Sequence, residues 1–570
     1  MIDLSVNGVV LRRPSTLGVR ATFRLTVLTF LPRIQRSIVN PSTNMAALLV
    51  VCNPGKSGVF SMKNSQSVSY FLAAALLLLL LAGCGTASPP RTLVFATAHP
   101  LVAQYNIRVF HSGLTAWVEF GTDTTYGRQT STFTSSDTTP DSQALNILVA
   151  GMLPQTTYHM RAHVNWPGGS WVDDDHTFTT GALKGPQGAR ATASELPVIS
   201  ASTAVPGLAA APGVELLSLG EPANTSMLEP IVTDLQGNII WYYPSGGAFP
   251  IKLMPNGHMI LQMTGDLREI DLAGNTIRDV SVGQVNQSLA AKGFSFSIGA
   301  FSHDILTLPN GHWITIGLTS KAFTDLPGYA GTMNVTGDAV VDIDPNGNVV
   351  WGWSAFDHLD VNRHLQGLPD WTHSNALVYT ADGNLLLSMR HQSWILKLDY
   401  ANGTGTGTIL WKLGEEGDFK LSDGDPSQWF YGQHDPVIVS TSGAQTMLAV
   451  YDDGNLRIDA NGVACGSSAS APACYSRAVI FKIDESTRIA SVTWQDLPGF
   501  FSPWGGSIGT LSNGDVEFAS SQPFNTVASQ IMEVTPTDIP QTVWQMNIAG
   551  ESAYRGKRIP SLYPGVTWQK

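Results

Sequence analysis

The sequence has little charge, few cysteines and no hydrophobic run long enough to cross a bilayer. Only 13 % of its 570 residues are charged, and 44 acidic side chains outnumber 32 basic ones. The resulting net charge of −12 argues against nucleic acid as a partner, because that binding needs a basic face which releases counterions. The apolar run over residues 71–82 is too short to span a membrane as a stable helix.

Turn-forming residues and apolar residues are abundant instead. The chain has 55 glycines and 33 prolines, which disfavour helix interiors, and 43 % of its residues are hydrophobic. This composition excludes an intrinsically disordered chain and a long coiled coil. It predicts many short strands that are joined by tight turns around large cores.

Residues 1–83 are a different kind of polypeptide from the rest of the chain. They carry eight basic side chains and one acid, a net charge of +7, which leaves −19 for the remainder. The apolar run over 71–82 ends at Leu81-Ala82-Gly83-Cys84, and small residues before a cysteine at this point resemble a bacterial lipoprotein signal. The sequence therefore predicts an exported protein.

The resemblance to a lipoprotein signal divides the N-terminal region into three parts. We expect residues 1–61 to be a mis-assigned start or a disordered extension, 62–83 a signal peptide and 84–90 an anchor linker. Cleavage before Cys84 implies that this residue is lipidated. The mature protein is then held to a membrane by its lipid, on the periplasmic or cell-surface side.

Cysteine usage agrees with export. Cys465 and Cys474 have eight residues between them, in a loop rich in Gly, Ser and Ala. In an oxidising compartment this spacing predicts a local disulfide. A zinc site at this pair is disfavoured because no second Cys or His pair lies nearby at ligand spacing.

A small module follows the anchor. Residues 91–182 contain short alternating runs separated by turn residues about every ten positions, the pattern of a β-sandwich. The stretch from Leu153 to Tyr158 resembles the tyrosine-bearing corner of fibronectin type III domains, so we expect a fibronectin III-like β-sandwich. Residues 183–212, rich in Ala, Gly, Pro and Ser, are interpreted as a linker.

From residue 213 onwards two elements repeat. One is a hairpin, often with an Asn-Gly or Asp-Gly turn, and its turns are spaced by 54 to 72 residues. The other is a strand that ends in tryptophan, with copies at Trp241, Trp351, Trp411 and Trp494. A period of this length in an all-β pattern predicts a β-propeller over residues 213–570, and its length fits six blades.

Three repeats place a histidine just before the first strand of their hairpin, in Ser302-His303-Asp304, Thr372-His373-Ser374-Asn375 and Gly432-Gln433-His434-Asp435. Equivalent positions of propeller blades surround one axis, so we expect these imidazoles to meet in the central channel. Arg390 follows the strand that His373 introduces and offers a forked cation to an oxyanion. Tyr431, next to Trp429 and Phe430, is expected to add an aromatic wall that binds substrate.

Two metal sites compete with this interpretation. Three neutral imidazoles suit Zn²⁺, but Arg390 and Asn375 beside them favour an anion. Four acidic residues in turns form a candidate Ca²⁺ site, namely Asp423, Asp425, Asp452 and Asp453. Their spacing does not match an EF-hand loop, and solvated turn carboxylates explain them better. We expect no metal and no other cofactor.

Taken in order, His303-Asp304, His373-Ser374-Asn375, Arg390 and Gly432-Gln433-His434 resemble the motifs of bacterial, PAPS-independent arylsulfate sulfotransferases. The resemblance covers about residues 213–570 and implies an exported enzyme with a six-bladed propeller. It implies that His434 is the nucleophile. It also implies that His303, His373, Asn375 and Arg390 hold the oxygens of the sulfuryl group.

Elementary chemistry is consistent with that resemblance. A neutral imidazole is a competent nucleophile near pH 7, because its ordinary pKa is about 6.5. Attack by His434 on an aryl sulfate gives a sulfohistidine, and a phenolic acceptor then takes the group in a ping-pong reaction. Either His303 or His373 serves as general acid and base, and the sequence does not assign which.

Two other classes of function stay open, as does a homodimeric assembly. The first is a non-catalytic, lipid-anchored binding propeller that uses its sandwich to meet partners. The second is a quinoprotein-like oxidoreductase, whose tryptophan-docking repeats are loosely mimicked by the terminal tryptophans. The sequence contains no matching cofactor motif, which disfavours the second class.

Overall fold

The structure, a computed structural model, describes residues 91–569 apart from 109–112, 136–143, 186–187, 193–194, 221–229, 245–249, 264, 459–461, 467–473 and 522–527. All of these residues belong to one compact unit, Thr86–Lys570. The predicted N-terminal extension, the signal peptide, lipidated Cys84 and the anchor linker lie outside the described residues. Within the described part, no helix is both long enough and apolar enough to cross a membrane.

The N-terminal module is a sandwich of two antiparallel sheets, as predicted. One sheet contains β1 (Arg91–Ala96), β2 (Ala103–Arg108) and β6 (Ala144–Val149). The other contains β3 (Thr115–Gly121), β4 (Arg128–Gln129), β5 (Phe133–Thr134), β7 (Thr157–Trp166), β8 (Gly169–Val172) and β9 (His176–Thr179). Alternate residues of β7 are buried, as expected for a strand with one face on the core. The backbone N–H of Leu153 donates to the hydroxyl of Tyr158 over 2.9 Å and pins the predicted corner.

The rest of the described chain forms six sheets of four or five strands, which confirms the all-β propeller prediction. From the inner strand outwards, sheet 1 consists of β35 (Ser552–Ile559), β11 (Val214–Gly220), β12 (Ile231–Thr233) and β13 (Ile239–Tyr242), and sheet 2 consists of β14 (Ile251–Leu253), β15 (Met259–Gln262), β16 (Asp266–Ile270) and β17 (Thr276–Ser281). Sheet 3 is β18 (Ala300–Thr307), β19 (Trp313–Leu326), β20 (Tyr329–Ile343) and β21 (Val349–Ser354), and sheet 4 is β22 (Ser374–Tyr379), β23 (Leu385–Met389), β24 (Trp394–Leu398) and β25 (Ile409–Leu413). Sheet 5 is β27 (His434–Ser442), β28 (Gln445–Asp452), β29 (Arg477–Asp484), β30 (Ile489–Asp496) and β26 (Lys420–Leu421), and sheet 6 is β31 (Ser507–Thr510), β32 (Val516–Ser520), β33 (Ala528–Val534), β34 (Thr542–Ala549) and β10 (Val198–Thr203).

The sheets surround a common axis. Inner strands of neighbouring sheets contact each other in the order β18–β22, β22–β27, β27–β31 and β31–β35. Sheets 1 and 2 meet through β11 and β14, and sheets 2 and 3 through β15 and β18. The last strand of the chain, β35, pairs with β11, so the two ends of the propeller are joined by backbone hydrogen bonds. One α-helix, α1 (Val282–Ala291), occurs in the described part and follows β17.

The repeated tryptophans hold neighbouring sheets together. In four sheets an indole N–H donates to a backbone carbonyl in the β-turn of the next sheet: Trp241 to Leu272, Trp351 to Gly405, Trp494 to Thr537 and Trp544 to Leu235, over 2.9–3.2 Å. In sheet 2, which lacks this tryptophan, Arg278 donates to the carbonyl of Asp344 and lies over the ring of Trp313. Trp411, the copy in sheet 4, packs in the core between sheets 4 and 5 instead. The tryptophan repeat therefore has a structural explanation that needs no cofactor.

The segment predicted as a linker, residues 183–212, is partly built into the propeller. Its strand β10 pairs with β34 along the outer edge of sheet 6. Pairing covers an edge whose backbone groups are otherwise unsatisfied, and Ile199 and Ala201 pack on the adjoining core. At the other end of the chain, the indole of Trp568 donates to the carbonyl of Gln129 and fixes the sandwich against the propeller.

Candidate functional site

The three predicted histidines lie at the start of inner strands of adjacent sheets: His303 in β18, His373 just before β22, and His434 as the first residue of β27. Each strand is irregular there, since its register shifts between Ser302 and Ile305, Ser374 and Ala376, and His434 and Val437. His303 and His373 also have φ of +55° and +46°. Such bulges and left-handed residues re-aim side chains that would otherwise alternate regularly, and they cluster at functional sites.

The imidazoles come together around a tyrosine. The ring centroids of His303 and His373 are 4.7 Å apart. The ring of Tyr554 lies 5.7 Å from that of His303 and 5.9 Å from that of His434, edge-on to both. Tyr554 also stacks on Trp504, with centroids 6.5 Å apart. The structure therefore places the three histidines in one cluster, with Tyr554 between two of them.

His434 is fully buried against a carboxylate. Its Nδ1 lies 3.1 Å from both carboxylate oxygens of Asp453, and the two side chains are 2 % and 0 % exposed. Burial, and then the nearby Arg390, lower the pKa of His434 well below its usual value. Burial also raises the pKa of Asp453 well above the ordinary range. His434 is thus neutral at pH 7, and Nδ1 faces Asp453, so Nε2 is the ring nitrogen left for a substrate.

Arg390 stands beside this pair in a short 3₁₀ turn, Arg390–Gln392. Its Nη2 donates to the carbonyl of Pro503 over 2.8 Å, and its Nη1 lies 2.6 Å from Nε2 of His391. Nε is 3.7 Å from a carboxylate oxygen of Asp453. Among the described residues no hydrogen-bond partner of this buried Nε is found. One guanidinium N–H therefore faces the carboxylate of Asp453, beside His434.

Asn375 acts on the backbone that leads into His434. Its side-chain N–H donates to the carbonyl of Gln433 over 2.7 Å, and Asn375 is fully buried. Its backbone carbonyl accepts from Arg555 over 2.7 Å. The predicted role of Asn375 toward substrate oxygens therefore stays a prediction, while its observed contact fixes the approach of His434.

A buried row of charges lies beneath the histidines. Arg555 of β35 lies between two carboxylates, 3.1 Å from that of Asp304 and 3.5 Å from that of Asp435. Asp304 also pairs with Lys252 at 2.5 Å, and Asp435 also pairs with Lys557 at 2.9 Å. Burial raises the pKa of Asp304, but Arg555 and Lys252 outweigh burial and lower that pKa to about 2. Against the same effect of burial, Lys557 and Arg555 lower the pKa of Asp435, so both carboxylates are charged beside the central arginine.

These two carboxylates also join neighbouring sheets. Asp304 accepts the backbone N–H of Leu377 in sheet 4, and Asp435 faces the N–H of Ile508 in sheet 6. In each His-Asp motif the aspartate is thus a structural anchor below the site, while its histidine joins the imidazole cluster. The two residues of the motif therefore do different things: the aspartate joins sheets, and the histidine contributes to the site.

A second aspartate–histidine pair lies at the more exposed side of the cluster. Nδ1 of His373 is 2.5 Å from Oδ2 of Asp370, and the ring of His373 stacks on that of His391 with centroids 4.5 Å apart. Ligand atoms of these three residues lie within 4.8 Å of one another, close enough for a metal ion. However, Nδ1 of His391 donates to the carbonyl of Asp370, and its Nε2 faces Arg390. Both ring nitrogens of His391 are thus engaged, which disfavours metal ligation by this group.

Other predicted residues lie in different surroundings. The hydroxyl of Tyr431 donates to Glu415 over 2.9 Å, and the guanidinium of Arg457 lies over its ring. Trp429 and Phe430 pack in the core between sheets 4 and 5. The described contacts of this aromatic segment are therefore structural.

Of the four turn carboxylates, Asp423 and Asp425 are exposed, in line with their interpretation as solvated groups, whereas Asp452 and Asp453 are buried. Asp452 is buried and paired with Arg477 at 2.8 Å, and Asp453 faces His434. Asp423 and Asp425 accept backbone N–H groups of their own turns. Asp452 and Asp453 were predicted wrongly because they lie at a buried strand end rather than in an open loop.

Cys465 and Cys474 form a disulfide, with Cα atoms 5.7 Å apart. They cluster with Phe501, at the start of the segment that reaches Pro503 and Trp504. Ser476, two residues beyond the disulfide, donates to the carbonyl of Asp453 over 2.7 Å. The cross-linked loop therefore adjoins the site, although it is distant from His434 in sequence.

The sequence patterns assign no role beside the histidines to five residues of the site: Asp370, His391, Asp453, Tyr554 and Arg555. A signal existed for Asp453, because Ser442 pairs with Gln445 and an unbroken ladder would place His434 opposite Asp453. For Tyr554 and Arg555 the signal is indirect. The first repeat supplies only three strands, β11, β12 and β13, so the C-terminal strand β35 completes the first sheet.

No curated protein matches the chain. Similar solved structures include a Bacteroides caccae protein of unknown function (11 % identity, 60 % of this chain and 98 % of that chain, TM-score 0.36), a streptogramin B lyase (10 %, 63 % and 100 %, 0.27) and a putative gluconolactonase (12 %, 63 % and 94 %, 0.28). A family model described as Arylsulfotransferase (ASST) matches residues 203–555, a range that contains the whole histidine cluster.

Proposed function

Because the chain belongs to the arylsulfotransferase family, we propose that it transfers a sulfuryl group from an aryl sulfate ester to a phenol through a sulfohistidine on His434. The observation that carries this proposal is the neutral, buried imidazole of His434, held by Asp453 beside a guanidinium N–H of Arg390. A nucleophile, its orienting group and an anion donor converge there, as covalent group transfer requires.

In the first half-reaction Nε2 of His434 attacks the sulfur of the donor. The N–S bond forms as the bond between sulfur and the aryl oxygen breaks, and the phenolate leaves with that electron pair. Nδ1 keeps its proton and donates it to the carboxylate of Asp453, which stabilises the imidazolium that forms when Nε2 bonds to sulfur. Arg390 stabilises the negative charge on the sulfuryl oxygens.

In the second half-reaction a phenolic acceptor gives up its proton and attacks the same sulfur. The N–S bond breaks, and its electron pair returns to Nε2 of His434. The stacked rings of Tyr554 and Trp504 adjoin His434 and supply an apolar surface on which an aryl ring can pack. Two bond exchanges at one nitrogen give ping-pong kinetics without a cofactor.

The test is a two-stage assay with 4-nitrophenyl sulfate. With donor alone, we expect a burst of one nitrophenolate per protein and one added sulfuryl group on the peptide that contains His434. With phenol present, release continues and phenyl sulfate forms. Steady release without acceptor indicates a sulfatase instead. Inertness toward a panel of donors and acceptors favours a non-catalytic binding propeller.

We also propose that the protein works outside the cytoplasm, attached to a membrane by lipid on Cys84. The disulfide Cys465–Cys474 supports export, since such bonds persist in oxidising compartments. The lipid is tested by mass measurement of the N-terminal peptide from the native host. Cys84→Ser is expected to release the protein into the soluble fraction, and unchanged membrane attachment contradicts the anchor.

A further inference from the structure

The sequence leaves open which histidine handles the proton of the phenol. Resting on the proposed sulfuryl transfer, we infer that Asp370 is a positioning residue that makes His373, rather than His303, the general acid for the leaving phenolate. Asp370 has no part in any of the sequence motifs. Its place depends on the chain segment that connects sheets 3 and 4.

Contacts from three elements fix Asp370. Its Oδ2 is 2.5 Å from Nδ1 of His373, and its carbonyl accepts from Nδ1 of His391 over 2.8 Å. The residues on either side are tied to β20, because Pro369 accepts the N–H of Thr336 and Trp371 donates to the carbonyl of Thr336. The carboxylate therefore meets His373 from a backbone that is held in place.

Asp370 is charged when it meets His373. Although burial acts in the other direction, the hydrogen bond and charge of His373, and then His391, lower the pKa of Asp370 below its usual range. A carboxylate on Nδ1 fixes that nitrogen as the donor and stabilises the imidazolium. When His373 carries a proton on each ring nitrogen, its Nε2–H is the proton that the site can give to a substrate.

His303 has a different environment. Its Nδ1 faces the hydroxyl of Ser302, which is a neutral group. Burial, and then His373 and Arg555, lower the pKa of His303 well below its usual value. Because His303 is neutral at pH 7, it suits hydrogen bonding to the substrate better than proton donation to it.

The charged and titratable neighbours of His373 are few. Asp370 lies on its own segment, Arg390 and His391 follow β23, His303 belongs to β18, and Asp338 of β20 accepts from the residues on both sides of His373. Of the two carboxylates, Asp370 is the one that contacts the ring.

The proton transfers balance in both half-reactions. As the bond between sulfur and the aryl oxygen breaks, Nε2–H of His373 protonates the departing phenolate, and a neutral phenol leaves. The neutral His373 then takes the proton of the acceptor phenol as its oxygen attacks sulfur. One proton enters and leaves His373 in each cycle.

The experiment compares Asp370→Asn with wild type for a series of donors from 4-nitrophenyl sulfate to phenyl sulfate. General acid catalysis matters most for a poor leaving group, so we expect about a 10- to 100-fold loss of the phenolate-release rate for phenyl sulfate. For 4-nitrophenyl sulfate, whose phenolate leaves unaided, we expect a much smaller loss. The matched control is Asp360→Asn, an exposed aspartate on the same connection that caps the N–H of Asn362.

A double-mutant cycle separates positioning from a merely structural role. In a His373→Gln background, Asp370→Asn is expected to have no further effect, and Asp370→Glu in the native background is expected to recover part of the rate. An equal loss for every donor, or a steeper leaving-group dependence in His303→Gln than in His373→Gln, overturns the inference. The burst and the His434 label of wild type test the proposed function separately, because they do not depend on Asp370.

Discussion

The site contains two aspartate–histidine pairs in contrasting surroundings. His434 and Asp453 are 2 % and 0 % exposed, whereas His373 and Asp370 are 28 % and 46 % exposed. In the buried pair, burial raises the pKa of the carboxyl; in the exposed pair, burial is outweighed by the neighbouring imidazoles, which lower the pKa of the carboxyl. The same two residue types thus have opposite electrostatics within one channel.

This contrast separates the two tasks that the proposed reaction needs. A buried imidazole without a charge keeps a nucleophilic nitrogen, whereas an imidazole beside a charged carboxylate at the solvent edge exchanges protons. The buried pair belongs to the first hairpin of sheet 5, whereas the exposed pair lies in the connection that leads into β22. Their different burial, rather than their chemistry, distinguishes the nucleophile from the acid.

The largest expected effect tests the buried pair at its nucleophile. Since no other group is proposed to carry the sulfuryl group, His434→Ala is expected to abolish the nitrophenolate burst and transfer, a loss of about 10⁴-fold or more. The matched control is His258→Ala, because His258 pairs with Glu269 away from the cluster. A variant of His434 that keeps its turnover and its label excludes the sulfohistidine.

Asp453→Asn tests the partner of the nucleophile. The amide no longer holds the proton on Nδ1, so we expect a loss of about 10²- to 10⁴-fold. In contrast to Asp370→Asn, the factor is expected to be similar for good and poor leaving groups, since it concerns attack rather than departure. A loss confined to poor leaving groups means that the two pairs have exchanged roles. Initial burst rates measured across the donor series show whether the loss depends on the leaving group.

The two pairs also show which parts of the site can be predicted from the sequence. His303, His373 and His434 are predictable as a set because each precedes a repeated hairpin, and a ring of sheets brings such positions together. The sandwich and the propeller follow equally from strand length and turn chemistry. Local patterns suffice wherever a repeat copies the same position into several sheets.

Residues outside the repeat are beyond such reasoning. Asp370 lies in a connection without periodicity, and its contact with His373 depends on how that connection crosses β20. Asp453 is hidden by two register shifts in the hairpin that it ends. Tyr554 belongs to a strand that pairs with β11, more than three hundred residues away in sequence. The carboxylates that assign roles to the histidines are therefore long-range features of the fold.

Arg390→Lys tests the cation that adjoins the buried pair. Lysine keeps the charge, but it cannot reach Pro503, His391 and a sulfuryl oxygen at once, so we expect about a 10²-fold loss of transfer. Arg268→Lys, at an exposed pair with Asp279, is the control. An unchanged rate means that the guanidinium is structural.

The smallest expected effect is on the pH dependence of the free energy of unfolding, which tests directly whether His434 is buried. Its pKa in the folded protein is below the value of about 6.5 expected in the unfolded chain. The unfolded state therefore binds more protons below about pH 6.5, and the contribution of His434 to stability is present above that pH and lost as the pH falls. We expect the free energy of unfolding in urea to drop between pH 7.5 and pH 5 by more in wild type than in His434→Gln. Equal drops would show that the imidazole of His434 is solvated when folded, and the contrast between the two pairs would then disappear.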